Sequence, residues 1–289
     1  MKQKIETPGK TEALMSVKAR IGRIQYLNVL PIYFALEHVF SENGFRLVRG
    51  TPSELNAAMR RGAVDLGSIS ALEYGRGFKD YLLLPDLSIS SRGPVGSVLL
   101  FSRVPPARLE GRQVQVTPAS ASGAALLQVL MARLLKVQPV YLRSPLAARV
   151  GPEVDAVLAI GDEALGLKAA GRFPYELDLG AAWQELTGLP FVFGVWAVRR
   201  DFARCHPETT AGLYRLLLRS RDWGLRALPE LSRLAAAPGS MTPGEVLAYF
   251  QQLHYALGPE HERGLRTFFH YLYEQAELPE EPRLEYFKG

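Results

Sequence analysis

Val64-Asp65-Leu66-Gly67-Ser68-Ile69-Ser70-Ala71-Leu72-Glu73-Tyr74 runs from a strand directly into a helix. Val64 to Ile69 reads as a buried strand. Ser70 to Glu73 reads as a capping box: the serine takes an N–H of the first turn and Glu73 reaches back. Ser68 and Ser70 therefore sit where a strand ends and a helix begins. In open α/β sheets, that is where ligands bind.

The same unit recurs further on. Val154 to Ile160 is a second buried strand, Gly161–Asp162 is read as the cap of the helix behind it, and both strands open on Val-Asp. This echo fits two similar lobes. Before the first unit, Arg20 to Tyr26 reads as a strand, Leu27–Asn28–Val29–Leu30 as a turn, and Pro31 to Phe40 as a helix with proline in its first turn. Phe45 to Val48 is a short strand. Thr51-Pro52-Ser53-Glu54 is a capping box, and Gly62 stops its helix.

Before the second unit, Gln113 to Val116 is a strand and the small-residue stretch 117–123 a loop. Ala124 to Lys136 is an apolar-periodic helix. Ser97 to Ser102 and Phe191 to Val198 are nearly continuous apolar runs, read as the two connections between lobes. The chain thus divides into lobe one, 19–100 and 200–289, and lobe two, 101–199. Beyond 206 it is helical, with a capping box at Thr242-Pro243-Gly244-Glu245, and is expected to pack on lobe one. The fold class is α/β with a ligand cleft between lobes.

Composition narrows the function. Of 289 residues, 47% are hydrophobic and 22% charged, which is ordinary for a globular protein. No apolar run has the length of a membrane span. The formal charge of +5 is scattered rather than gathered into a nucleic-acid arm. Cys205 is the single cysteine, so disulfides and cysteine-based metal sites are excluded. The five histidines show no metal-ligand spacing. Residues 1–18 are polar and read as a disordered tail without an apolar signal region, so a cytoplasmic protein is expected. Oligomeric state is not legible.

Polar residues on loops that end strands are the candidate site: Asn28, Ser68, Ser70, Ser97, Ser120, Ser122 and Asp162. Several lie beside helix N-termini, where free N–H groups favour anions. Capping alone accounts equally well for Ser70, Asp162 and one of Ser120 or Ser122. Asn28, an amide between Leu27 and Val29, points more to ligand contact. No G-x-S-x-G elbow, Walker loop, dinucleotide fingerprint or H-E-x-x-H is present. An enzyme built this way runs a reaction needing little from protein acids or bases.

Several segments in order resemble the chorismate dehydratases of the futalosine route to menaquinone. They are Arg23 to Pro31, Gly67 to Tyr74, Gly93 to Val98, Ala159 to Leu165, Asp178-Leu179-Gly180 with Trp183, and Thr187 to Phe193. The resemblance implies a two-lobed fold of the periplasmic-binding-protein type II kind. It also implies removal of water from chorismate, a dicarboxylate, to give 3-[(1-carboxyvinyl)oxy]benzoate, with no cofactor. Loss of the ring hydroxyl and the neighbouring proton makes the ring aromatic, so positioning and charge stabilisation suffice. On this resemblance the substrate's own enolpyruvyl carboxylate takes the proton. Asn28 and Ser97 hold that side chain or assist the departing hydroxyl, and Ser120, Ser122 and nearby N–H groups hold the ring carboxylate. The family typically carries Thr-Ser before the long lobe-two helix, where this chain has Ser122-Gly123. Two other readings share the fold: a solute-binding protein without turnover, and the later lyase of the same route, which calls for a positioned base such as histidine.

Overall fold

The computed structural model describes residues 18–40, 44–117, 120–144, 154–236 and 241–289; the expected tail, 1–18, lies almost wholly outside them. β1 (Ala19–Ile24) leads through a single 3-10 turn at Leu27–Val29 into α1 (Leu30–His38), with Pro31 in its first turn. β2 (Phe45–Gly50) precedes α2 (Pro52–Arg60), whose capping box forms in full between Thr51 and Glu54. β3 (Leu66–Ser70) and α3 (Ala71–Gly77) follow, then the long β4 (Tyr81–Ser91). At α3 only half of the expected box forms. Ser70 Oγ accepts the Glu73 N–H, but the buried Glu73 carboxylate pairs with Arg60 and accepts from Tyr81 Oη at 3.1 Å instead of reaching back.

The second sheet comprises β5 (Val98–Ser102), β6 (Gln113–Val116), β7 (Val140–Arg143), β8 (Ala156–Ile160) and β9 (Tyr175–Asp178). Between them lie α4 (Ala121–Leu130), α5 (Gly161–Ala170) and α6 (Leu179–Thr187). α4 starts three residues before the expected Ala124, because Ser120 Oγ accepts the Gly123 N–H at 3.0 Å and caps the helix there. Ser122 and Gly123 are thus first-turn residues, not loop.

β10 (Phe191–Arg199) returns to the first sheet. α7 (Arg200–Cys205), α8 (Pro207–Arg226), α9 (Leu228–Ala235), α10 (Pro243–Gln252), β11 (Leu253–His254) and α11 (Pro259–Glu274) complete the fold. The strand orders are β11-β4-β10-β3-β1-β2 and β7-β6-β8-β5-β9. Read outward, β2-β1-β3-β10 and β7-β6-β8-β5 match strand for strand: three parallel strands, then one antiparallel.

The Val-Asp echo is part of this match. Asp65, just before β3, accepts the Arg20 N–H at 2.8 Å and its guanidinium at 2.5 and 2.9 Å, tying it to the neighbouring β1. Asp155, just before β8, accepts the Gln113 N–H at 3.2 Å and the Arg112 guanidinium at 2.7 Å beside β6.

Sheet membership corrects the lobe boundaries. The runs 97–102 and 191–198 were expected to connect the lobes, but each is the antiparallel strand of a sheet: β5 pairs with β8 and β9, and β10 with β3 and β4. A continuous apolar run marks a strand buried on both faces, and says nothing of which sheet buries it. The crossings are made by 92–97 and 188–190, so the segment of the second sheet runs from Val98 to Thr187.

The C-terminal helices do not pack on lobe one alone. α8 lies on α1, with Ser220 Oγ donating to the Ile32 carbonyl at 2.5 Å. α11 lies over the second crossing: a Cβ at Gly264 would come within 2.1 Å of the Pro190 carbonyl oxygen, so only glycine permits this approach. Phe268 of α11 meets Trp183 of α6 edge-on at 6.0 Å and Phe191 of β10 at 4.9 Å. One hydrophobic core therefore includes Leu66, Leu158, Trp183, Phe191 and Phe268 from both sheets. Burial of each such large side chain contributes about 1.5–3 kcal/mol.

Candidate functional site

The C-terminal ends of β1, β3 and β8 and the N-terminal turns of α3, α4 and α5 converge on one cleft. Its lining includes Tyr26, Asn28, Ser68, Ser70, Ser97, Ser120, Ser122, Gly123, Gly161 and Phe193, around an empty volume of about 680 Å³ including its mouth. Six of the seven candidate polar residues, with Gly123 beside them, are thus brought together. Asp162 stands one residue outside. It does not cap α5, whose N-cap is Ile160; its carboxylate accepts a long bond from the Leu27 N–H at 3.4 Å. The protein packed around Asp162 raises its pKa above the ordinary value. Gly161 has φ +55° and lies against the Tyr26 ring, where a Cβ would come within 3.1 Å.

The hydroxyls share one polarity. Ser70 Oγ accepts the Glu73 N–H at 3.2 Å and an Asn56 Nδ2–H at 3.1 Å. Ser120 Oγ accepts the Gly123 N–H at 3.0 Å, and Ser122 Oγ accepts the Leu72 N–H at 2.8 Å from the opposite side of the cleft. Backbone N–H groups only donate, so each serine oxygen is used as an acceptor, and its own proton has no acceptor among the described residues. Ser97 Oγ bonds Tyr249 Oη at 2.9 Å. Asn28 Oδ1 and Ser68 Oγ are buried without a partner among the described residues. Both residues line the cleft, and an unpaired buried polar atom there calls for a partner.

No lysine or arginine lines the cleft among the described residues. Arg76 and Arg143 line an adjoining recess that shares Ser120 with it. Glu277 lines the same recess and pairs with Arg76, so the cleft itself presents neutral hydrogen-bonding groups. Among the described residues the one titratable side chain in the lining is Tyr26, whose phenol burial pushes up to about 12, so they offer no base active near neutral pH.

Four supporting residues were missed by sequence reading. Asn56 holds Ser70 through both its backbone N–H and its hydroxyl. Asp178 accepts the Val95 and Gly96 N–H groups, fixing the crossing that ends at Ser97. Tyr249 comes from α10, and Leu72 offers its N–H to Ser122. Their only sequence signal was the presence of Leu72 and Asp178 in segments shared with a known family.

Fold and cleft define a two-lobed α/β protein that takes its ligand between two matching sheets. The chain belongs to a menaquinone-biosynthesis family, whose profile it matches over residues 19–274. It is 32% identical to a chorismate dehydratase of Thermus thermophilus over 263 residues, 86% of this chain and 93% of the relative. It is 30% identical to a 1,4-dihydroxy-6-naphtoate synthase of the same organism over 235 residues, 80% of this chain and 78% of the relative. Among solved structures, protein AF1704 of Archaeoglobus fulgidus superposes with a TM-score of 0.72 at 18% identity, covering 91% of this chain and 99% of that one. The periplasmic aliphatic sulphonate binding protein SsuA of Escherichia coli does so at 0.63 and 17% identity, covering 92% and 90%. These likenesses establish the periplasmic-binding-protein-like fold.

Proposed function

We propose that the protein removes water from chorismate to give 3-[(1-carboxyvinyl)oxy]benzoate. The observation that carries this is a cleft of hydroxyl and amide groups, without a protein base in its lining among the described residues. One C–H and the neighbouring C–OH bond break and the ring becomes aromatic; the enolpyruvyl carboxylate of the substrate takes the proton, which then passes to the departing hydroxide, so that water leaves and the carboxylate is restored. Asn28 and Ser97 orient that side chain and stabilise the departing hydroxyl. Ser120, Ser122 and the N-terminal N–H groups of α4 receive the ring carboxylate, while Ser68 and Ser70 complete the opposite wall. Asp162 closes the rim through Leu27. A cytoplasmic location belongs to the same proposal; among the described residues no helix is long and apolar enough to cross a membrane.

Incubation with chorismate tests the reading: a product lighter by one water, with an aromatic ring by NMR, is expected. Asn28→Ala is expected to lower kcat by roughly 100-fold, the scale of losing one positioned polar group. Its melting temperature should hold, because Asn28 Oδ1 gives up no partner within the protein. Heat protection by chorismate without turnover would instead mark a binding protein.

The 30%-identical synthase favours a second reading, in which the later substrate of the same route is the one consumed. No histidine lines the cleft among the described residues, and that chemistry calls for such a base. Turnover of the later substrate alone would decide for it.

A further inference from the structure

We propose that Tyr249 is a positioning residue, donating its phenolic proton to Ser97 Oγ so that Ser97 offers its own proton to the ligand. The proposal rests on the role given to Ser97 above. Three cleft serines, Ser70, Ser120 and Ser122, have their oxygens occupied by backbone N–H groups, which leaves each hydroxyl a donor towards the cleft. The Ser97 oxygen receives no backbone N–H among the described residues. Its partner is Tyr249 Oη at 2.9 Å, reaching across 152 positions of sequence from α10.

The Ser97 carbonyl is engaged elsewhere, accepting the Gly161 N–H at 2.7 Å, so the hydroxyl is the one part of the residue free to rotate. A phenol is a stronger acid than an aliphatic alcohol and therefore the better donor of the two. Burial raises the phenol pKa further, which keeps the proton on Tyr249 throughout the working pH range. A bond donated to an oxygen polarises its own O–H, so Ser97 becomes a stronger as well as a directed donor. The end of α10 is set firmly for this. It packs on Gly96, at φ +71°, where a Cβ would come within 3.2 Å of Gln252 Oε1 and 3.7 Å of the Tyr249 ring.

Steady-state kinetics on chorismate test the proposal. Tyr249→Phe is expected to lower kcat about tenfold with KM within about twofold, since the directed proton counts most in the transition state. In a Ser97→Ala background the same change is expected to have no further effect, because Tyr249 acts through Ser97. An unchanged kcat in Tyr249→Phe, or an undiminished loss in the Ser97→Ala background, overturns the proposal while leaving the dehydratase reading intact. Absence of chorismate turnover by the wild-type protein overturns both. A ring-fluorinated tyrosine at 249 keeps the buried volume and donates more strongly, which covers the case of a phenylalanine variant that fails to fold. Its kcat is expected to rise roughly twofold, and an unchanged or lower value counts against the proposal.

Discussion

The Ser122 hydroxyl accepts the Leu72 N–H at 2.8 Å, so the first turn of α4 on one side of the cleft is bonded to the first turn of α3 on the other. Both partners are buried, and the bond lies at the edge of the cleft, whose lining includes Ser122 but not Leu72. Ser122→Ala would strand the Leu72 N–H, at a cost of about 1–3 kcal/mol. For a protein of this size that is a fall of roughly 2–4 °C in melting temperature per kcal/mol. Thermal unfolding and ligand titration check it. A variant as stable as wild type, with full affinity, would speak against the cross-cleft bond.

Gly123 stands where the sequence resemblance implies a hydroxyl, and the structure gives a local reason for glycine. A Cβ there would lie 2.7 Å from Ser120 Oγ, the oxygen that caps α4. Gly123→Ser should therefore expel the cap and destabilise the protein by about 1 kcal/mol. Combining it with Ser120→Ala, which has no cap to lose, should be less damaging than the two changes added together. Additive losses in urea unfolding would show that the two side chains do not compete.

Asp65 and Asp155 occupy equivalent places in the two sheets but differ in burial. The Asp65 side chain is 5% exposed and that of Asp155 24%, with its partner Arg112 at 46%. Asp65→Asn is expected to cost about 1–2 kcal/mol, since the carboxylate is buried although its partner Arg20 is 35% exposed. Asp155→Asn should cost under about 1 kcal/mol, as exposed pairs do. Equal losses in chemical denaturation would contradict the distinction.

What was legible in the sequence was what is local. The Thr51 and Thr242 capping boxes form as the spacing of their residues requires. The alternation of strand and helix placed Asn28, the serines and Gly123 at one end of the strands, and the structure brings them into one cleft. The Ser70 box failed in its second half because Arg60, on a different helix, captured Glu73. The apolar run of β10 was placed between the lobes because its neighbours β3 and β4 are far off in sequence. Tyr249 and Asp178 stayed hidden for the same reason: a side chain acting 152 or 82 positions away leaves no periodic trace near the residue it serves.

The packing of α11 over the second crossing has a consequence for how the protein is made. Both sheets contain every strand but β11 once β10 has left the ribosome. At that stage the Pro190 crossing lies bare, the edge of β4 lacks β11, and Ser97 has no Tyr249. Domains begin to fold during synthesis, N-terminal parts first. The growing chain therefore carries an unfinished cleft until residues after 241 arrive. Maturation of the site is a last event of translation, and a nascent chain halted before α10 would hold two nearly complete sheets without a finished cleft.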